Sequence, residues 1–408
     1  MASPGKILII VQNLPVPLDR RVWLEATTLA GAGYDVAVIC PKGKHGDFQE
    51  SYQFLEEVHI YRYLAPPEAK GVLGYFVEFI YCWLMTAILT LRVFKERGFD
   101  VIHACNPPET YFLLALPYKL IGKKFVFDHH DLSPEMYVAK GGRKGGLLHR
   151  LLLLLEWLTF QTADLVLSTN ESHKRIAMGR GGVSADRIFI VRSGPDLGRL
   201  QKLPPEPPLK QGRCYLACYL GEMCPQDGVD YLLYAIEYLV KKLGRRDTTF
   251  VLMGGGSAWE DLRQLTHRLG LDEWVIMTGR VSDHDLCRYL STADICFAPD
   301  PYTEWADQST MNKIMEYMAF GKPIVAFDLK ETRFSAQEAA VYAKPNDITE
   351  FACLANELLD NKQRRIRMGE FGRHRVEHAL SWEHSAPILL QAYSLLFKPE
   401  HRSRERIE

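Results

Sequence analysis

The stretch from Asp307 to Asp328, DQSTMNKIMEYMAFGKPIVAFD, carries the residues with the clearest chemistry. A side-chain oxygen of Ser309 or Thr310 can cap a helix opening there, because it accepts a first-turn N–H that has no partner within the helix. Met311, Ile314, Met315 and Met318 recur at helical spacing as an apolar stripe, which leaves Asn312, Lys313, Glu316 and Phe320 on the opposite side. Gly321 and Pro323 end the helix, and Ile324 to Phe327 follows as a short buried strand. A helix N-terminus at the end of a parallel strand favours an anion, since its N–H groups and dipole suit a phosphate. Glu316 lies one turn further in, where its carboxylate could accept hydrogen bonds from paired hydroxyls such as those of a ribose. Spacing alone is equally satisfied by an ordinary amphipathic helix with a solvated Lys313–Glu316 pair.

Two other clusters invite a metal. Asp128-His129-His130-Asp131 closes an apolar strand, but neighbouring residues on an extended segment point to opposite sides, so convergence of all four on one ion is not expected. Asp283-His284-Asp285 has the spelling of a metal-dependent sugar transferase, yet it sits in a capping box that starts at Ser282 and reads as structural. A P-loop, zinc-ligand spacing and the context of a Ser/His/Asp triad are all missing from the sequence.

These residues need a scaffold of alternating strands and helices. Lys6 to Val11 is a strand, Asp19 caps a helix, and Asp35 to Cys40 is the next strand. The intervening loop, at the carboxyl end of the first strand where α/β sheets bind ligands, has no GxGxxG run. Arg20 or Arg21 either faces that cleft or forms a solvated pair. Further strands are expected at 100–104, 124–127, 164–168 and 187–191. The run 200–212 holds four prolines in thirteen residues and reads as a linker. Beyond it, strands recur at 214–220, 250–253, 275–278, 295–298 and 324–327. The pattern predicts two doubly wound α/β domains, 1–199 and 213–381, with 382–408 packing back on the first.

At 408 residues the chain is long enough for about two cores. A net charge of −1 gives no field that would gather nucleic acid, and none is expected as a partner. Nine cysteines lie mostly in apolar runs without a CxxC pair, as buried thiols in a reducing compartment would. The apolar run near the N-terminus is too short for a signal peptide and reads as the first strand. Val72 to Leu91 is long enough to span a bilayer, which takes about 20 apolar residues. Glu78 lies inside it, a costly position in lipid, so a buried core helix is expected instead. Residues 138–146 are Gly-rich and basic and lead into the apolar helix 147–160. That combination is compatible with docking on an anionic membrane, or with a helix buried against the sheet.

The words KIMEYMAFGKPIVAFD resemble the most recognisable segment of the family 4 retaining glycosyltransferases, where a Glu-x(7)-Glu motif precedes a Gly-x-Pro turn. The resemblance extends to the opening strand and helix, the His130 strand end, the Gly221 strand end and Gly279-Arg280-Val281. It implies a GT-B fold, with two Rossmann-like domains facing a cleft and a C-terminal helix returning to the first. It also implies metal-independent transfer, with retention, from a nucleotide sugar such as a UDP- or GDP-sugar, and no permanently bound cofactor. Glu316 matches the glutamate that holds the donor ribose. The glutamate that contacts the donor sugar falls at Gln308, and His130 matches the histidine lying under that sugar. After the first strand of the second domain the family carries an Arg and a Lys for the pyrophosphate. This chain instead reads Gly221-Glu222-Met223-Cys224-Pro225-Gln226-Asp227-Gly228. Lys313, the N–H groups near Ser309, Thr310, Met311 and Asn312, and Arg280 are expected to carry the phosphate in their place.

The resulting expectation is a cytoplasmic glycosyltransferase, at the inner face of the membrane, acting on a glycan or lipid-linked acceptor in cell-envelope or exopolysaccharide synthesis. The two lost cations keep a second class open, a silent homologue that partners a glycan-assembly complex. A sugar-nucleotide epimerase or phosphorylase on the same fold is the third.

Overall fold

The computed structural model describes residues 4–43, 47–66 and 71–397. Residues 398–408, the end of the C-terminal stretch, lie outside the described residues. The chain divides into two compact units, one built from residues 1–134, 145–191 and 386–408, the other from 135–144 and 192–385.

The first unit opens with β1 (Lys6–Ile10), α1 (Arg20–Gly31) and β2 (Asp35–Pro41), then the hairpin β3 (Tyr52–Leu55) and β4 (Val58–Tyr63). There follow α2 (Gly71–Glu96), β5 (Val101–Cys105), α3 (Tyr111–Leu120), β6 (Lys124–His129) and the start of α4 (Ser133–Ala139), which passes into the second unit at Glu135. α5 (Leu147–Thr162), β7 (Leu165–Ser168), α6 (Glu171–Gly179) and β8 (Ile188–Ile190) complete it. The sheet order is β3-β4-β2-β1-β5-β6-β7-β8. Only β3, paired with β4, runs antiparallel. Strands such as KILII and DVAVICP are continuously apolar after their first residue because helices cover both faces of a parallel sheet. The order reverses between β1 and β5, and loops diverge there to leave a crevice.

In the second unit the strands are β9 (Tyr215–Leu220), β10 (Thr248–Met253), β11 (Val275–Gly279), β12 (Ile295–Ala298), β13 (Ile324–Phe327) and β14 (Ala340–Ala343). They form one parallel sheet in the order β11-β10-β9-β12-β13-β14, with the reversal between β9 and β12. The helices are α7 (Val229–Glu237), α8 (Trp259–Arg268), α9 (Asp283–Thr292), α10 (Glu304–Gln308), α11 (Asn312–Ala319) and α12 (Lys330–Ala336). α13 (Ile348–Asp360), α14 (Lys362–Arg375) and α15 (Trp382–Leu396) close the chain. The last turns of α15 return to the first sheet, where the Tyr393 hydroxyl lies 2.8 Å from His103 Nδ1.

Three sequence expectations need correction. α2 is not a buried core helix. It packs on the sheet through Cys82, Thr86, Leu89, Thr90 and Val93, while Val77, Ile80, Leu84, Ile88 and Leu91 point outward and are exposed. The helix of the 307–328 stretch begins later than the capping pattern predicts. Met311 holds its N-cap position without a side-chain bond, and Ser309 donates instead to the Trp305 carbonyl at 2.7 Å. Nor does that helix have a broad polar side. Lys313 and Phe320 are buried with the methionines, and Asn312 and Glu316, four residues apart, are its open positions.

Candidate active site

The strand ends beside the reversal of the second sheet hold the first set of residues. Gly221 follows β9 and Asp300 follows β12, the two strands that flank the crevice. Lys313 reaches across from α11, and its Nζ donates to Asp300 Oδ1 at 2.7 Å and lies 5.0 Å from the centre of the Tyr219 ring. Burial alone would lower the lysine's pKa, but Asp300 and neighbouring groups outweigh it and the pKa is raised, so Lys313 stays charged. A Cβ on Gly221 would stand 3.2 Å from Lys313 Cε and 2.9 Å from the Tyr219 hydroxyl, so the glycine lets the ammonium lie against the chain. Gly254, after β10, is more restrictive. It has φ +138°, and an added Cβ would meet the Gly221 carbonyl oxygen at 1.8 Å. Gly254→Ala is therefore expected to lower the melting temperature by an amount corresponding to about 1–3 kcal/mol. A thermal melt beside Gly31→Ala, which meets open space at an ordinary backbone φ, checks it.

The two acids that replace the expected cations are each answered locally. Glu222 lies 3.5 Å from Arg280, with both side chains exposed, a pairing worth little. Asp227 turns inward, and its Oδ2 accepts the Cys224 N–H at 2.9 Å. Burial raises its carboxyl pKa to about 6, against the opposing pull of Lys313. An acid whose pKa is higher folded than unfolded contributes its stability below the unfolded value, and loses it as pH rises from about 4 to about 6. The shift from 3.8 to about 6 is on the order of 2–3 kcal/mol. Asp227→Asn keeps an acceptor for Cys224, so it should melt above the wild type at pH 8 and level with it near pH 4. A gap that does not change with pH would contradict this.

On the open face of α11, Glu316 lies 3.5 Å from Arg199, whose other nitrogen holds Asp283 at 2.8 Å. Sequence reasoning missed Arg199, because nothing in GPDLGRL signals that it meets a helix over a hundred residues away. It missed Asp300 for the same reason. Gln308 and Ser309 each bond back into the short helix that precedes α11. Gln308 donates to the Glu304 carbonyl at 3.1 Å within its own short helix. The Asp307 carboxylate accepts the Lys330 N–H at 2.8 Å.

In the first unit His130 follows β6 and is only 16% exposed. Its backbone N–H donates to Asn106 Oδ1 at 2.9 Å, and its Nδ1 lies 2.9 Å from Asp128 Oδ2. An ionised carboxylate only accepts, so the shared proton sits on Nδ1 and Nε2 is left for a ligand. Asp128 is in turn gripped by Arg21, at 2.8 Å through Nε and 2.6 Å through Nη2. Arg21 is thus buried and faces inward, while Arg20 is the exposed one. Burial would raise the Asp128 pKa, yet Arg21 and His130 hold it well below the usual carboxylate range. Burial would lower the His130 pKa, and Asp128 reverses that to a raised one. Burial raises the Glu25 pKa well above the usual carboxylate range against the pull of Arg21 3.1 Å away, so the stronger ion pair is Arg21–Asp128. Glu25, His103, Cys105 and Asp128 offer ligand atoms within 4.8 Å of one another, and the Arg21 guanidinium already supplies the positive charge there. His129 turns the other way, toward Glu156 at 3.5 Å, so the two histidines do not converge.

Two parallel α/β units, each with a crevice at its strand reversal, define the class. The whole chain superposes on sucrose-phosphate synthase from Thermosynechococcus elongatus with a TM-score of 0.77 at 19% identity, covering 96% of this chain and 99% of that one. It superposes on Anabaena HepE, solved in complex with UDP-glucose, with a TM-score of 0.68 at 17% identity, covering 96% and 99%. The fold is GT-B. Residues 18–199 match the sequence model of Glycosyltransferase Family 4, and residues 215–361 that of Glycosyl transferases group 1. The chain belongs to the family 4 (group 1) glycosyltransferases. The MMP alpha-(1->4)-mannosyltransferase of Mycolicibacterium hassiacum is 28% identical over 216 residues, 52% of this chain and 49% of its own length. The chain spans about half the length of the curated relatives it matches.

Proposed function

We propose that this protein is a retaining, metal-independent glycosyltransferase. It moves a sugar from a nucleoside-diphosphate sugar to a glycan or lipid-linked acceptor in cell-envelope or exopolysaccharide synthesis. The observation that carries the reading is the placement of Lys313 and Glu316 on one helix beside the Gly221 strand end, at the reversal of a parallel sheet. Glu316 accepts the ribose hydroxyls, and Lys313 with the uncapped N–H groups of α11 faces the pyrophosphate. Arg280 adds charge from the end of β11, and Gln308 serves the donor sugar as a neutral hydrogen-bonding group. The first domain, 1–199, supplies the acceptor side and His130, whose Nδ1 is taken by Asp128 and whose Nε2 is left for a ligand. The second, 213–381, holds the donor.

As the glycosidic bond breaks, negative charge grows on the leaving diphosphate. A fixed ammonium and oriented N–H groups stabilise it there without reorganising. Attack from the same face retains the anomeric configuration. The mannosyltransferase relative and the UDP-glucose complex of HepE support a nucleotide-sugar donor. A cytoplasmic protein touching an anionic membrane through 138–160 fits a lipid-linked acceptor, since α5 exposes Leu147, Leu151, Leu154 and Trp157.

Incubation with UDP- and GDP-sugars in EDTA tests the reading. Nucleoside diphosphate should be released, and NMR of the product should show the donor's anomeric configuration. An inverted product contradicts retention, and turnover abolished by EDTA contradicts metal independence. The Asp300–Lys313 pair favours a second reading, a silent partner subunit, because it occupies the cation. Nucleotide binding without release from any donor would put that reading first.

A further inference from the structure

We infer that the outer faces of α2, α3 and α5 together form a docking surface for an anionic lipid bilayer, lying in the plane of its interface. The inference rests on the membrane contact proposed for 138–160 and extends it to two further helices. The three helices connect β4 to β5, β5 to β6 and β6 to β7, crossovers that all run the same way along the sheet. Right-handed connections put such helices on one face, side by side. They touch in that order. The Thr86 and Tyr111 hydroxyls lie 3.4 Å apart and the Phe94 and Tyr118 rings 5.1 Å apart, while Thr159 donates to the Glu109 carbonyl at 2.7 Å.

What these helices turn outward is apolar. On α2 the exposed positions from Val77 to Leu91 recur every three or four residues and none is polar. α3 turns out Leu113, Leu116 and Leu120, and α5 turns out Leu151, Leu154 and Trp157. More than half of the large exposed hydrophobic residues among the described residues lie on these three helices. The face is about 20 Å long and about 30 Å wide, at the upper end of what a soluble monomer leaves open. By contrast α8, in the second unit, exposes Glu260 and Arg263.

Charge selects the occupant. Arg92 and Lys95 close the α2 stripe with Glu96 offsetting one of them, and Arg150 interrupts the α5 stripe, all exposed. A two-fold contact with a second copy would press this cation-bearing face against itself. Anionic headgroups pair with them instead. Spanning the bilayer is a different matter. α2 has the length and composition for it, but the buried side through Cys82, Thr86, Thr90 and Val93 would have to leave the sheet. Lying flat keeps that side packed and buries the other, as an interfacial helix does.

Flotation of the full chain tests this, with phosphatidylcholine vesicles that contain or lack phosphatidylglycerol. The wild type should float with the phosphatidylglycerol vesicles. A Leu84→Asp/Leu151→Asp variant should lose partition about tenfold or more. Both positions are exposed, so the variant should keep its melting temperature and any nucleotide-induced rise in it, which separates failure of docking from failure of the donor site. Wild-type protein that stays with the aqueous fraction overturns the inference, as does a variant that floats unchanged. A wild-type dimer in solution that the two substitutions split, with no vesicle binding, would assign the face to a second copy.

Discussion

Arg21→Met is expected to destabilise the protein by about 3–5 kcal/mol, the range found when one partner of a buried ion pair is removed. The side chain it deletes is 7% exposed and holds a fully buried carboxylate by two hydrogen bonds. Asp128 would then have to take up a proton or remain as an unpaired buried charge. A third bond would be lost as well, from Arg21 to the Val191 carbonyl at 2.7 Å. Arg21→Lys keeps the charge but loses the planar fork, so an intermediate melting temperature is expected. The double variant Arg21→Met/Asp128→Asn removes both charges and should recover part of the loss. The same network sets the imidazole. His130 has a raised folded pKa, so its contribution to stability is present below its unfolded pKa of 6.5 and fades as pH rises through the folded value. In the double variant the His130 titration followed by NMR should move down. A titration left in place would show that Asp128 does not govern His130.

Lys313→Met should be the second large effect, in stability and in binding together. Lys313 and Asp300 are 9% and 2% exposed, so the single substitution strands a buried carboxylate and should again cost about 3–5 kcal/mol. A Lys313→Met/Asp300→Asn variant separates the two roles. If Lys313 only neutralises Asp300, the double variant regains both stability and nucleotide affinity. Stability should recover while nucleoside diphosphate affinity stays at least about tenfold down, since a charged hydrogen bond to phosphate is worth roughly 1.5–3 kcal/mol. Recovery of affinity with stability would remove Lys313 from the donor site.

The alternation of apolar runs with helical patterns made eleven of the fourteen strands among the described residues legible, because buried parallel strands leave little room for polar residues, while the β3–β4 hairpin and the edge strand β14 went unread. Glu316 was legible through its motif, and the structure leaves it on the open side of α11. Contacts between distant strand ends were not legible. Asp300 and Arg199 acquire their meaning only when β12 and the segment that holds Arg199 are brought beside α11, and no local pattern encodes that. Arg21 shows the same limit, since an arginine on a first helix turn reads as solvated until Asp128 is found beneath it. α2 failed for a different reason. A segment that is apolar nearly all round has no periodicity to say which side meets the core, so burial and outward exposure look alike in the sequence.

The central claim is that the second domain binds a nucleoside diphosphate through Glu316 and Lys313 without a metal. Thermal melting with UDP, GDP, ADP and dTDP in EDTA tests it most directly. A ligand at a hundred times its dissociation constant stabilises the native state by about 2.7 kcal/mol. One nucleotide should raise the melting temperature well beyond the others, and Glu316→Ala should abolish the rise while leaving the unliganded melt nearly unchanged. No rise with any of the four, or a rise that survives Glu316→Ala, would contradict the account.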